Sequence, residues 1–206
     1  MFYYTFFVAA QMKAVFLAAF ICCCVGIAQA QTPDPPACVP DCPTDLFGPM
    51  QSTLLQVGSC WVTVYWRERL ACGIWHDVYI DEFIATPFGC DTPPYDLFQK
   101  QVVAALLLAN PMGFPPDTVG DPCNSNWRVS KGACWLRDWI LIPQPEFVAY
   151  RPCYFQQEIC CLERYQVCLT ESGRQVTFLG GPPAPSCPGV VGPLRGQCFP
   201  TCNSVY

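Results

Sequence analysis

The chain has one histidine, His76, so any acid–base or nucleophilic chemistry that needs an imidazole must pass through it. Asp77, Asp81 and Glu82 follow it closely. On a strand, Asp77 and Asp81 share a face and could work on a glycosidic bond as a carboxylate pair. Four strand residues span about 13 Å, however, whereas retaining and inverting cleavage use about 5–5.5 Å and about 6.5–9.5 Å. His76 and Asp77 are strand neighbours pointing to opposite faces, so they do not make the base and orienting acid of a Ser-His-Asp set. Pairing with arginine and solvation of a sheet is the simpler role for these acids. Metal chemistry is also short of ligands, because 17 cysteines and one histidine include no Cys-x-x-Cys pair. No metal or other cofactor is expected.

Two tetrapeptides, Gly58-Ser59-Cys60-Trp61 and Gly132-Ala133-Cys134-Trp135, resemble the core of the nucleophile signature of papain-like proteases. The resemblance implies a cysteine nucleophile, yet the rest of the signature is absent. Val57 and Lys131 precede the two glycines, and the histidine lies in the wrong part of the chain. With both residues on one hairpin, Cys60 and His76 would be on the order of 26 Å apart, too far for activation. The repeat reads instead as a structural echo: glycine at strand entry, a half-cystine facing the core, and a tryptophan beside it.

The cysteines also speak for a compartment. Met12-Lys13, an apolar run from Ala14 to Ile27 and then Ala28-Gln29-Ala30 have the three regions of a secretory signal, so residues 1–30 are expected to be removed. An uncleaved anchor over Phe2 to Ile27 is the rival reading. Cys22, Cys23 and Cys24 leave with the signal, and an even fourteen remain. These are Cys38, Cys42, Cys60, Cys72, Cys90, Cys123, Cys134, Cys153, Cys160, Cys161, Cys168, Cys187, Cys198 and Cys202. Up to seven disulfides in an oxidising compartment follow. The mature chain has ten Lys and Arg against sixteen Asp and Glu, a net charge of −6, which argues against nucleic-acid or anionic-membrane partners. No second apolar stretch has spanning length.

The elements that must position any site are mostly strands. Gly58 to Ala85 reads as a β-hairpin. A loop of Ala71, Cys72 and Gly73 sets residues whose numbers sum to 144 opposite each other, Arg67 facing Asp77 and Glu68 facing His76. Tyr95 to Ala109 has Phe98, Val102, Ala105, Leu106 and Ala109 at helical spacing, after a cap at Asp91-Thr92-Pro93-Pro94 and before a stop at Asn110-Pro111. It is expected to be buried on the sheet. Trp127–Val129 and Ala133–Leu141 read as short strands around Ser130-Lys131-Gly132, and Cys160–Leu179 as a second hairpin with Thr170–Gly173 as its turn. Cys160 and Cys161 point to opposite faces and should have different partners. Cys38-Val-Pro-Asp-Cys42 and Cys198-Phe-Pro-Thr-Cys202 lie in proline-rich ends and are expected to clasp them together, directly or through Cys187.

These readings converge on an α+β, β-rich fold: small antiparallel sheets of hairpins with one buried helix, disulfide-stapled, in a single domain over residues 31–206. Trp61, Tyr65, Trp75, Tyr79 and Phe83 form one aromatic face of the first hairpin, and the first four are the candidate binding residues. The expected function is binding or assembly, structural or adhesive, by a secreted or cell-surface protein without catalysis. The partner would be a protein or glycan at a cell surface, or another copy. A secreted hydrolase whose acids converge only in the fold is the alternative, with an inhibitor or effector as a third class.

Overall fold

In the computed structural model the described residues are 42, 44–86, 90, 95–140, 147–153, 160–183, 186, 187 and 198–202. All fall in one compact unit; the other, Met1–Thr32, lies outside them, as do Cys38 and the cap at Asp91–Pro94. The strands are β1 (Gln51–Val57), β2 (Cys60–Ala71), β3 (Trp75–Ala85), β4 (Asn124–Gly132), β5 (Cys134–Ile140), β6 (Phe147–Pro152), β7 (Cys160–Thr170), β8 (Gly173–Gly180) and β9 (Phe199–Pro200). One helix, α1 (Tyr95–Ala109), lies between β3 and β4. The fold is thus β-rich with a single helix among the described residues and is stapled by disulfides, as the sequence implied.

The strands make one sheet in the order β8-β7-β4-β3-β6-β5-β9, with β2 on the other side of β3 and β1 beyond β2. The neighbours β3 and β4 run parallel, and α1 supplies the crossover that a parallel pair requires. Phe98, Val102, Val103, Leu106 and Leu107 bury one side of α1 against Val62, Val64, Trp66, Val78, Ile80, Trp127, Val129 and Val167 on the inner face of the sheet. Asn110 ends the helix in a left-handed conformation (φ 46°), and its side chain then exchanges two hydrogen bonds with the backbone of Phe114, at 2.9 and 3.0 Å.

The first hairpin forms, but two residues out of the expected register. Ile74 N–H bonds to Ala71 C=O at 3.1 Å, and both residues between them have positive φ, 53° at Cys72 and 67° at Gly73. That is a turn centred on Cys72-Gly73 rather than a loop starting at Ala71. Cys72 is held there by its disulfide to Cys42 and by an N–H bond to Asp45 Oδ2 at 2.7 Å. The partners become Arg69↔Asp77, Glu68↔Val78 and Leu70↔His76, so the expected Arg67–Asp77 and Glu68–His76 pairs do not occur.

A second irregularity decides the core. Trp66 pairs with Ile80 but Tyr65 with Glu82, which leaves Asp81 as the extra residue of a β-bulge. Beyond it the alternation of β3 is inverted. Phe83 and Ala85 therefore turn inward, and Phe83 stacks on Tyr150 at 4.6 Å instead of joining the outer aromatic face. The far edge of β3 forks at the same place, taking β4 over His76–Ile80 and β6 over Phe83–Ala85.

Residues 124–140 are not a hairpin around Ser130-Lys131-Gly132. β4 continues through them to pair with β3 and β7, while β5 pairs with β6 and β9. The corner falls at Gly132-Ala133, where a Cβ on Gly132 would lie 2.9 Å from Pro152 Cβ. β1, β6 and β9 are strands that sequence patterning did not reveal. The second hairpin has the expected register, Val167↔Val176 and Tyr165↔Phe178.

Cys60–Cys90, Cys123–Cys168, Cys134–Cys187, Cys153–Cys198 and Cys161–Cys202 join Cys42–Cys72 as the described disulfides, and Cys160 is oxidised too. Cys160 and Cys161 do have different partners. The two proline-centred motifs do not clasp each other through their described cysteines: Cys42 anchors the first hairpin turn, whereas Cys198 and Cys202 bracket β9 against Cys153 and Cys161. Cys187 goes to Cys134.

Candidate binding face

The outer face of the sheet, opposite α1, divides at the Asp81 bulge. On one side a row of charge crosses four strands, since Arg69 pairs with Asp77, Asp77 with Arg128, and Arg128 with Arg164. The Asp77 carboxylate accepts Arg69 Nε at 2.9 Å and Arg128 Nε at 2.6 Å, and all three residues are buried. Trp75 lies under the guanidiniums of Arg128 and Arg164, at 4.5 and 5.2 Å from its ring centre. The segment before β1 crosses this region. Phe47 packs on Arg69 at 4.8 Å and on Tyr79 at 5.9 Å, and Arg69 donates to Asp45 C=O at 2.7 Å. Tyr79 is therefore covered, and burial, reinforced by the Asp81 charge and opposed by Arg67, pushes its phenol up to about 12. Asp81 in turn binds Arg67 at 3.2 Å. Trp75, half-buried, and Tyr79, buried, both lie in this charged half of the face.

On the other side of the bulge the face is open. Three rungs cross β1, β2 and β3: Ser52–Tyr65–Glu82, Leu54–Thr63–Ile84, and Gln56–Trp61, the last flanked by Thr86, whose N–H bonds to Trp61 C=O at 2.9 Å. Leu54 is 61% exposed and Trp61 50%, with Thr63, Tyr65 and Ile84 half-buried between them. The rungs are rigid because the alternate residues beneath, Leu55, Val62 and Val64, are core and because Cys60–Cys90 pins the start of β2. Of the four sequence candidates the structure thus keeps Trp61 and Tyr65 together and separates Trp75 and Tyr79 from them. Leu54 and Ile84 were missed. Leu54 belongs to a strand with too weak an alternation to read, and Ile84 reaches the face only through the bulge.

The residues with chemical potential are dispersed. His76 sits on the inner side, half-buried, 4.9 Å from the Phe114 ring, and burial lowers its pKa against the opposing effect of Asp77. Cys60 and Cys134 of the repeated tetrapeptide are both half-cystines. Their settings are inverted: Cys60 faces the main core with Trp61 outside, while Trp135 is in the main core and Cys134 lies in a separate cluster with Leu136, Cys153 and Cys198. The two tetrapeptides are not equivalent units. Among the described residues no three His, Cys, Asp or Glu converge as a metal site, and no helix is long and apolar enough to cross a membrane.

A polar cluster inside the core joins Lys131, Glu163 and Tyr165. Sequence patterning missed it by placing Lys131 in a turn. Its signal was present, because Glu163 has the inward parity of Tyr165 and Val167. Comparisons of the chain with protein-family models, characterised proteins and solved structures found no match.

Proposed function

We propose that this protein is exported and works by binding or assembly at a cell surface, without catalysis of its own. The observation that carries the reading is Trp61, half exposed on a fixed rung beside Leu54, Thr63, Tyr65 and Ile84. Aromatic and aliphatic groups held rigidly at a surface lose little conformational entropy when a partner covers them. Such a patch fits a protein surface or the apolar face of a sugar ring, or the same patch on a second copy. Export is supported by the disulfides, which persist in oxidising compartments, and by the signal-like residues 1–30.

The test is attachment of labelled protein to the surface of the producing cells, together with sedimentation of the protein alone. Replacing both Trp61 and Tyr65 with Ser should cut attachment or self-association by more than tenfold, a loss of about 1.4 kcal/mol or more of contact. The intact disulfide set and unchanged circular dichroism serve as fold controls. His76→Ala should leave binding as it was. A hydrolytic activity abolished by His76→Ala in the folded protein would contradict the proposal.

A further inference from the structure

Lys131 and Glu163 are diagonal neighbours on β4 and β7, since Lys131 pairs with Cys161 and Val129 with Glu163. Their parity is that of Trp127, Val129, Tyr165 and Val167, so both side chains point into the core, where each is 0% exposed. Lys131 Nζ lies 2.7 Å from Glu163 Oε2, and the Tyr165 hydroxyl donates to that oxygen, also at 2.7 Å. An ammonium has three donors. Among the described residues Oε2 is the acceptor that Nζ finds, and the site is closed to bulk water. Keeping a full charge there is costly. Burial accordingly draws the Lys131 pKa down, with Glu163 opposing and Lys100 adding to the fall. Passing one proton from Lys131 to Glu163 removes both charges and leaves a free amine against a carboxylic acid. The 2.7 Å contact keeps that amine within about 4 Å of Cδ, one bond beyond Oε2 and close to the about 3–3.5 Å of a near-attack geometry.

We propose that Lys131 and Glu163 condense after folding, so that an Nζ–Cδ amide covalently ties β4 to β7 through the core. The Nζ lone pair forms the new bond to Cδ while the Tyr165 hydroxyl, donating to Oε2, stabilises the charge gathering on the carboxyl oxygens. One Cδ–O bond breaks. The oxygen leaves as water, carrying the acid's proton and one amine proton, and no oxidant or reductant takes part. The product is a neutral amide whose carbonyl can keep the Tyr165 hydrogen bond. A dry interior that holds no bulk water to reverse the step, and no longer holds two charges, favours it.

The test is tryptic mapping of the full chain after reduction and alkylation. The expected result is that cleavage after Lys131 fails and that peptide 129–137 is found joined to peptide 138–164, lighter than the two together by one water. Glu163→Ala, folded or not, serves as the control that releases peptide 129–131. In Tyr165→Phe the linked fraction should build up on the order of a hundredfold more slowly after refolding. Recovery of peptide 129–131 from the wild-type chain in the same yield as from the control would overturn the proposal.

Discussion

Asp77 is the residue on which the outer face turns, because one carboxylate bridges two buried guanidiniums from two different strands. Asp77→Asn keeps the shape but leaves Arg69 and Arg128 without their shared counter-charge. Breaking a buried pair in this way costs about 3–5 kcal/mol, which a urea titration at neutral pH should read as an earlier midpoint. Tyr79, two residues on, provides a test of pH dependence. Its phenol ionises near the ordinary 10 in the unfolded chain but near 12 when folded, chiefly through burial. The unfolded state therefore loses its proton first, and the stability contributed by neutral Tyr79 is complete below pH 10 and lost as the pH rises to 12. Across that interval the loss is on the order of 3 kcal/mol, since each pH unit between the two ionisations is worth a little over 1 kcal/mol. Tyr79→Phe should flatten the fall in stability between pH 10 and 12, measured by denaturant titration at each pH.

At the level of elements, what was legible in the sequence was what depends on local pattern. The helix ran from Tyr95 to Ala109 as its spacing indicated, and the Cys160–Leu179 hairpin kept its register because Thr170–Gly173 leaves the turn little choice. The first hairpin slipped because two adjacent residues, Cys72 and Gly73, both take positive φ, a freedom that sequence grants readily to glycine and to cysteine only when other bonds hold it. The Asp81 bulge had no local signature, and through it Phe83 moved from the supposed binding face to the core. Deleting Asp81 would remove the extra residue, so that Glu82 follows Ile80 on the outer side and Phe83 and Ala85 stay inward in simple alternation. The expected outcome is a protein that loses the Asp81 carboxylate bound by Arg67 but still forms its full disulfide set and binds no more apolar dye than the parent, whereas exposure of Phe83 to dye would contradict this reading of the bulge.

Across the whole molecule, the sheet places core and helix on one face and, on the other, a covered cationic half and an open half centred on Trp61. Composition pointed correctly to a stapled β-rich chain, because cysteine and proline content and strand alternation are additive along a sequence. The site was only half legible. Trp61 and Tyr65 lie on one strand with regular alternation, but Leu54 and Ile84 join them through pairings at long range, and Phe47 covers Tyr79 from a segment with no periodicity at all. The claim that this open half is where the protein meets its partner is tested most directly by covalent surface footprinting of the free protein and of the protein attached to the producing cells. Attachment should protect Leu54, Trp61 and Tyr65 while leaving labelling of Leu179 and Val119, exposed elsewhere, unchanged. Unchanged labelling of Trp61 on attachment, with protection appearing at Leu179 or Val119 instead, would contradict the account.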